Sequence, residues 1–285
     1  MIEDPARDAI RRAAQLIRAA DALLVTAGAG LGVDSGLPDF RGPRGFWRAY
    51  PPLERLGLSF EEMAQPRWFD TDPRLAWAFY GHRLRLYRQT RPHAGYAILK
   101  GWCDRMPLGG FVLTSNVDGH FFAAGFPAER VVEQHGSIHR LQCAAPCRDE
   151  IWPAPARDLE IDMESFRAAG ELPRCEACGA LARPNILMFA DDRWIPDVTR
   201  AQRERFVEWL GTVRGRRLVI VECGAGTAVA TIRHAGERLA EQLDATLVRI
   251  NPEARVEPEG IIAVPMRALD ALTRIERRVR ECEPS

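Results

Sequence analysis

The 285-residue chain lacks any apolar run near the roughly 18–20 residues needed to cross a bilayer. It also lacks excess charge of either sign: 39 Lys and Arg balance 39 Asp and Glu. That balance argues against a dedicated nucleic-acid or anionic-membrane binder, though a local patch stays possible. Residues 1–20 interleave acids and arginines and lack the uninterrupted apolar core of a secretory signal. A cytoplasmic protein with no membrane and no nucleic-acid partner is therefore expected. The seven cysteines are an odd number, which with a reducing compartment argues against a disulfide framework. What remains is ordinary for a globular chain, 46% apolar and 27% charged, and is long enough to bury a real core in one large domain or two modest ones.

Short buried-type runs recur along the chain. They are Ala22 to Thr26, Gly110 to Thr114, Arg130 to Glu133, Leu218 to Glu222, Thr246 to Ile250 and Ile261 to Val264. Helical periodicity separates several of them, most clearly in Pro5 to Ala20, Arg200 to Val213 and Thr227 to Leu243. Such alternation predicts a parallel α/β sheet with helices on both faces. Arg41 to Arg91, rich in aromatics and arginine and helical over Pro73 to Arg88, does not fit the alternation. Neither does Gln142 to Arg183, and both read as insertions.

The first strand runs into Gly28-Ala29-Gly30-Leu31-Gly32. Glycines after a strand let the backbone approach a pyrophosphate, but Val33 breaks the strict GxGxxG pattern, so a plain strand-to-helix turn is as good a reading. The run continues through Gly36 to Pro38-Asp39-Phe40-Arg41, where an arginine can pair with phosphate and an aromatic can cover a ring.

Four of the cysteines form two pairs, Cys143-x3-Cys147 and Cys175-x2-Cys178, separated by a polar, proline-containing stretch of 27 residues. Four thiolates so spaced suit tetrahedral zinc and leave no open coordination position, so a single structural ion is expected. Cys103, Cys223 and Cys282 are isolated, Cys223 lying where oxidation near a cofactor is conceivable.

Asn116 and Asp118 follow a buried strand at its carboxyl end, where ligands bind in open α/β sheets. On residue type alone, an Asx turn closing the strand explains them better. His135 ends another strand and can serve as a base near neutral pH or merely satisfy a loop. His139 reads as structural or a reserve metal ligand, and His120 has no assigned role. Tyr80 and Arg83 lie at i and i+3 on one helical face and can jointly meet a carboxylate. Chance pairing on an arginine-rich helix is the competing explanation.

Together these segments resemble the sirtuin family of NAD-dependent protein lysine deacylases. Gly28 to Trp47 is similar to the family's GAGxSxxSGIPDFRGxxGxW signature, Thr114 to Asp118 to TQNID, and Gln134 to Ser137 to the segment carrying its catalytic histidine. The cysteine pairs match its zinc module, Arg183 to Asp191 resembles RPxVVxFGE, and Ile250-Asn251 its late IN strand end. The departures are Gly32 for serine, Ser115 for glutamine, His120-Phe121 for Leu-His, Ala190-Asp191 for Gly-Glu, and Gly224-Ala225-Gly226 for GTS. They are reminiscent of a divergent bacterial branch, some of whose members transfer ADP-ribose.

The resemblance implies a doubly wound Rossmann-type parallel sheet in residues 1–40, 92–136 and 184–285. It places a cofactor loop and helical insertion in 41–91 and a zinc module in 137–183. It implies consumed NAD as co-substrate and acylated lysines of proteins as partners. His135 becomes the base, with Asn116 and Asp118 at the nicotinamide and its ribose. Gly28, Ala29, Gly30, Asp39, Phe40, Arg41, Ser115 and Gly224 to Gly226 surround the cofactor, and Asn251 meets its adenosine side. Leu187, Phe189 and Val229 line the acyl-lysine tunnel. Tyr80 and Arg83 match the Tyr-x-x-Arg of sirtuins that remove succinyl, malonyl or glutaryl groups. ADP-ribosyl transfer or NAD hydrolysis at the same site is the alternative activity, and a zinc-ribbon binding module the non-enzymatic one.

Overall fold

A computed structural model describes residues 5–38, 42–227, 229–254 and 257–281. Its strands are β1 (Ala22–Ala27), β2 (Gly110–Thr114), β3 (Val131–Glu133), β4 (Gly136–Cys143), β5 (Ile151–Pro153), β6 (Ile161–Asp162), β7 (Arg167–Ala168), β8 (Ala182–Ile186), β9 (Leu218–Cys223), β10 (Thr246–Ile250) and β11 (Ile261–Val264). Six of them form one sheet in the order β11-β10-β9-β1-β2-β3, with every neighbouring pair parallel. Val25 of β1 sits opposite Val112 on one side and Val221 on the other.

The runs are predominantly apolar because both faces of this sheet are covered; the buried Glu222 and Arg249 of neighbouring strands pair with each other. Successive side chains point to opposite faces. Thus Leu23, Val25 and Ala27 join one core with Ile17, Trp102 and Ile275 of the helices Pro5–Ala19, Ala94–Arg105 and Ala268–Arg280. Ala22 and Leu24 join another with Phe206, Trp209 and Ile232 of the helices Asp197–Val213 and Thr231–Leu243. Each fully buried Val or Leu contributes about 1.5–3 kcal/mol, so these two seams hold the strands in register. The expected doubly wound parallel sheet is therefore present. The helix expected from Thr227 begins at Thr231.

A third core joins the aromatic-rich segment to the cysteine-bearing one. The helix Pro73–Gln89 starts at Asp72, whose side chain accepts the Leu75 N–H at 3.0 Å, with Pro73 in the first turn. It packs Trp77, Phe79 and Tyr80 with Ile138, Phe166 and Ala182. The Trp77 indole N–H closes the contact on the Ala182 carbonyl at 3.1 Å. The floor is a three-stranded antiparallel sheet, β5-β4-β8, which strand periodicity did not reveal. Its pattern is obscured by a register shift between Ser137 and Leu141 and by polar residues such as Gln142 and Arg183, which are buried and bonded. Among the described residues no helix is long and apolar enough to cross a membrane.

Candidate active site

The parallel sheet reverses its order at β1, with β2 and β3 on one side and β9 to β11 on the other. Such a switch point opens a crevice beyond the strand ends. Here the loops after β1 and β9 interlock. The Gly28 N–H donates to the Cys223 carbonyl at 3.1 Å and the Gly30 N–H to the Gly224 carbonyl at 3.0 Å. A side-chain carbon on Gly28 would lie 2.8 Å from the Gly224 oxygen, and one on Gly224, at φ +64°, would lie 2.2 Å from the Leu31 nitrogen. These glycines thus shape the crevice, and the amides of Gly28 and Gly30 are already used. No backbone bond engages the amides of Ala225 and Gly226 among the described residues.

The crevice encloses about 560 Å³, within the usual range for a small-molecule site. Gly28, Ala29, Gly30, Ser115, Asn116, Asp118, His135 and Gly224 to Gly226 all line it. So do Tyr80, Arg83, Leu187, Phe189 and Val229. Asn251 does not. It is buried, and its amide donates to the Ala225 carbonyl at 2.8 Å, so it supports the β9 loop from behind. Asp39, Phe40 and Arg41 lie outside the described residues.

Asn116 and Asp118 are each 8% exposed. The Asn116 amide donates to the Gly28 carbonyl at 3.1 Å, tying the end of β2 to the glycine loop. Asp118 closes a turn by accepting the His120 N–H at 2.9 Å. It therefore has the Asx-turn geometry and still faces the crevice. His135 occupies the turn between β3 and β4. Burial pushes its pKa below the ordinary value, the like charge of Arg203 adds to this, and a backbone contact at Ser115 opposes it. The imidazole is thus held neutral, the form a base requires.

At the other end Tyr80 is fully buried, its hydroxyl without a hydrogen-bond partner, and burial pushes its pKa up to about 12. Arg83 donates to the Tyr87 hydroxyl at 3.1 and 2.9 Å. Leu187, Phe189 and Val229 are more than a third exposed at the mouth. The extended run is fastened by Leu187 N–H to the His135 carbonyl at 3.0 Å and Phe189 N–H to the Ala64 carbonyl at 2.9 Å.

Phe60, Glu61 and Ala64 also line the crevice and were not anticipated. Their short helix is announced in the sequence by a capping box: Ser59 accepts the Glu62 N–H at 3.2 Å, and Glu62 accepts the Ser59 N–H at 2.8 Å.

The sulfurs of Cys143, Cys147, Cys175 and Cys178 all lie within 4.8 Å of one another. Cys143 and Cys178 are 3.7 Å apart, as are Cys147 and Cys175. A tetrahedron with zinc–sulfur bonds of about 2.3 Å has edges near 3.8 Å, so the four residues fit a closed structural zinc site. Cys223 is fully buried and burial pushes its thiol pKa well up. It is therefore an inert core thiol and not the oxidisable one considered above. Cys282 lies outside the described residues.

The profile of the Sir2 family matches residues 28–206. The chain is 32% identical over 270 residues to NAD-dependent protein deacylase 2 of Pyrobaculum aerophilum, covering 94% of each. It is 28% identical over 270 residues to the NAD-dependent protein deacylase of Thermococcus kodakarensis, covering 94% of this chain and 95% of that one. A solved Sir2 homologue in complex with NAD superposes with a TM-score of 0.72 at 24% identity, covering 95% of this chain and 93% of that one. At that identity the likeness speaks for the fold. The expectation of a bacterial-type branch is overturned, because the similarity runs overwhelmingly to archaeal proteins. Of the substitutions that suggested it, Ser115 and Gly224 to Gly226 line the crevice, whereas His120 and Phe121 lie in the helix His120–Ala123, away from it.

Proposed function

Because the chain belongs to the Sir2 family, we propose that it is an NAD-dependent protein lysine deacylase releasing nicotinamide and O-acyl-ADP-ribose. The observation that carries this is the single crevice in which a neutral His135, the Asn116–Asp118 turn, the paired glycine loops and an apolar tunnel mouth meet. NAD, when bound, supplies a nicotinamide leaving group and a ribose carbon that accepts the acyl oxygen. Asn116 and Asp118 hold the nicotinamide end. Ala29, Ala225 and Gly226 present backbone to the phosphates. His135 takes a proton from a ribose hydroxyl, a step open to it only as neutral imidazole. The extended Leu187–Phe189 run pairs with the substrate backbone, which gives affinity without reading peptide side chains. The four cysteines hold zinc, whose filled coordination keeps it out of the chemistry.

Tyr80 and Arg83 extend the reading to acidic acyl groups. A buried hydroxyl and a guanidinium in one cavity suit the terminal carboxylate of a succinyl or malonyl chain. On this reading the enzyme works in the cytoplasm, where cysteines persist as thiolates for a metal.

The test is mass spectrometry with NAD and matched acetyl-, succinyl- and unmodified-lysine peptides, following peptide mass and nicotinamide together. Loss of acyl mass with O-acyl-ADP-ribose is expected, and it should vanish in His135→Ala. Tyr80→Phe and Arg83→Met should each lower the succinyl-to-acetyl preference by about tenfold or more. Nicotinamide release without loss of the acyl group would instead establish ADP-ribosyl transfer or NAD hydrolysis.

A further inference from the structure

Among the described residues β3 is the outer strand of the parallel sheet, with β2 on one side and no strand on the other. Its last residue, Glu133, lies opposite Thr114 of β2, and the Gln134 N–H donates inward to the Thr114 carbonyl at 2.8 Å. The N–H and carbonyl of Glu133 belong to the open side, where an edge strand leaves backbone groups unpaired. The helix Asp197–Val213 answers them with side chains. Gln202 accepts the Glu133 N–H through Oε1 at 2.9 Å, and the Thr199 hydroxyl donates to the Glu133 carbonyl at 3.0 Å.

Thr199 and Gln202 are the polar members of a buried stripe that continues through Phe206, Trp209 and Val213. They are 2% and 3% exposed. Such a stripe ordinarily carries apolar residues facing the core. Polar side chains buried there are explained by the backbone groups they satisfy. Gln202 also directs Nε2 to the Glu133 carboxylate at 3.5 Å, which Arg140 of β4 holds at 2.9 Å. Arg203, next along the helix, donates to the Gln134 side chain at 3.2 Å. His135 follows at once, its carbonyl accepting the Leu187 N–H at 3.0 Å. Residues 133–135 are therefore held by β2, by the run after β8 and, where the sheet ends, by this helix.

We propose that Gln202 and Thr199 are positioning residues for His135: they stand in for a missing edge strand and fix the strand end from which the base projects. Neither lines the crevice, so neither touches cofactor or peptide. The inference rests on the deacylase reading, and its test keeps the two apart.

Attack of the acyl oxygen on the ribose carbon expels nicotinamide and needs no base, so labelled nicotinamide can exchange into NAD by the reverse of that step. Acyl transfer needs His135. A misplacement of about 1 Å can cost about a hundredfold in rate, so Gln202→Leu and Thr199→Val should each lower kcat for deacylation about tenfold or more. Exchange and the KM for NAD should change less than about twofold. Thr199→Ser, which keeps the hydroxyl, should recover most of what Thr199→Val loses. Phe206→Leu thins the same helix where it meets Phe111, so it should lower Tm and leave the ratio of deacylation to exchange alone. A readout without NAD is NMR titration of the His135 ring, held below its ordinary value by burial and by Arg203. Arg203 is kept in Gln202→Leu, so a ring loosened toward solvent should titrate nearer to about 6.5. Thr199→Val is isosteric and decides the matter if Gln202→Leu fails to fold by circular dichroism. The proposal is overturned if the deacylation-to-exchange ratio holds in both variants, if Phe206→Leu shifts it as far, or if the His135 titration stays in place. Absence of O-acyl-ADP-ribose from the wild-type chain would overturn the deacylase reading instead, and the titration would still decide the positioning.

Discussion

Replacing Asp191 with alanine should damage the tunnel wall from within. Arg183 and Asp191 have no side-chain exposure at all. They form two parallel bonds, Nη1 to Oδ1 at 2.9 Å and a second between Nη2 and Oδ2. Nη2 also donates to the Ile186 carbonyl at 2.8 Å, and the carboxylate accepts the Met188 N–H at 3.2 Å and the Arg193 N–H at 3.1 Å. The pair thus fastens the Leu187–Phe189 run at Ile186 and Met188. Removing one partner strands a buried guanidinium and orphans two amides, a loss of about 3–5 kcal/mol. For a chain of this size each kcal/mol is about 2–4 °C, so Tm should fall by roughly 6–20 °C. Calorimetry or denaturant unfolding reads this directly, and peptide KM should rise more than kcat falls. The double variant Arg183→Met/Asp191→Leu removes both charges, so it should recover much of the lost stability. The reasoning fails if Asp191→Ala costs under about 1 kcal/mol, or if the double variant is less stable than the single one.

Four further outcomes follow from the same geometry. Ala190 holds φ at +52°, a conformation costing a non-glycine residue about 1 kcal/mol, so Ala190→Gly should raise stability by up to that amount in urea unfolding. Since burial and Arg203 lower the His135 pKa, the neutral base should survive to more acid pH than free imidazole allows. The acid limb of kcat/KM should then lie below about pH 6.5, with activity lost as pH falls through it, and Arg203→Gln should move it upward. Strong chelation, or Cys178→Ser, should remove about one zinc per chain by elemental analysis and lower Tm, because the ion joins the ends of β4 and the Cys175–Cys178 turn. Gly28→Ala, whose new carbon meets the Gly224 oxygen at 2.8 Å, should separate the interlocked loops and raise the KM for NAD by about tenfold or more, with peptide KM little changed.

Much of the molecule is legible in the sequence where one rule dominates. The runs Gly110 to Thr114, Thr246 to Ile250 and Ile261 to Val264 are strands to the residue, because strands of a covered parallel sheet are predominantly apolar. The cysteine spacing announced four sulfurs that do converge. Asn116, Asp118 and His135 are assigned by resemblance more than by chemistry, since on residue type alone an Asx turn accounts better for the first two and a loop histidine serves as well for the third. The illegible part is the polar interior. Arg183, Gln142 and Asn185 are buried within strands because each finds a partner supplied by tertiary structure, such as Asp191 or the Arg193 and Ile195 carbonyls. No local pattern encodes such pairings. Asn251 follows its strand as the sequence suggests, and its amide is engaged by the Ala225 carbonyl, a partner that only the tertiary structure reveals.

The passage from the parallel sheet to the antiparallel one has a mechanical consequence. The chain leaves β3, turns through His135 and enters β4, while the returning run after β8 is bonded through Leu187 to the same residue. His135 therefore lies at the junction of the two sheets. If the two sheets rotate against each other to grip or release a peptide, the walls bearing Phe189 and the glycine loops sweep through the larger arcs. The base lies close to the axis, so the opening can widen or narrow with little change in where the proton is taken.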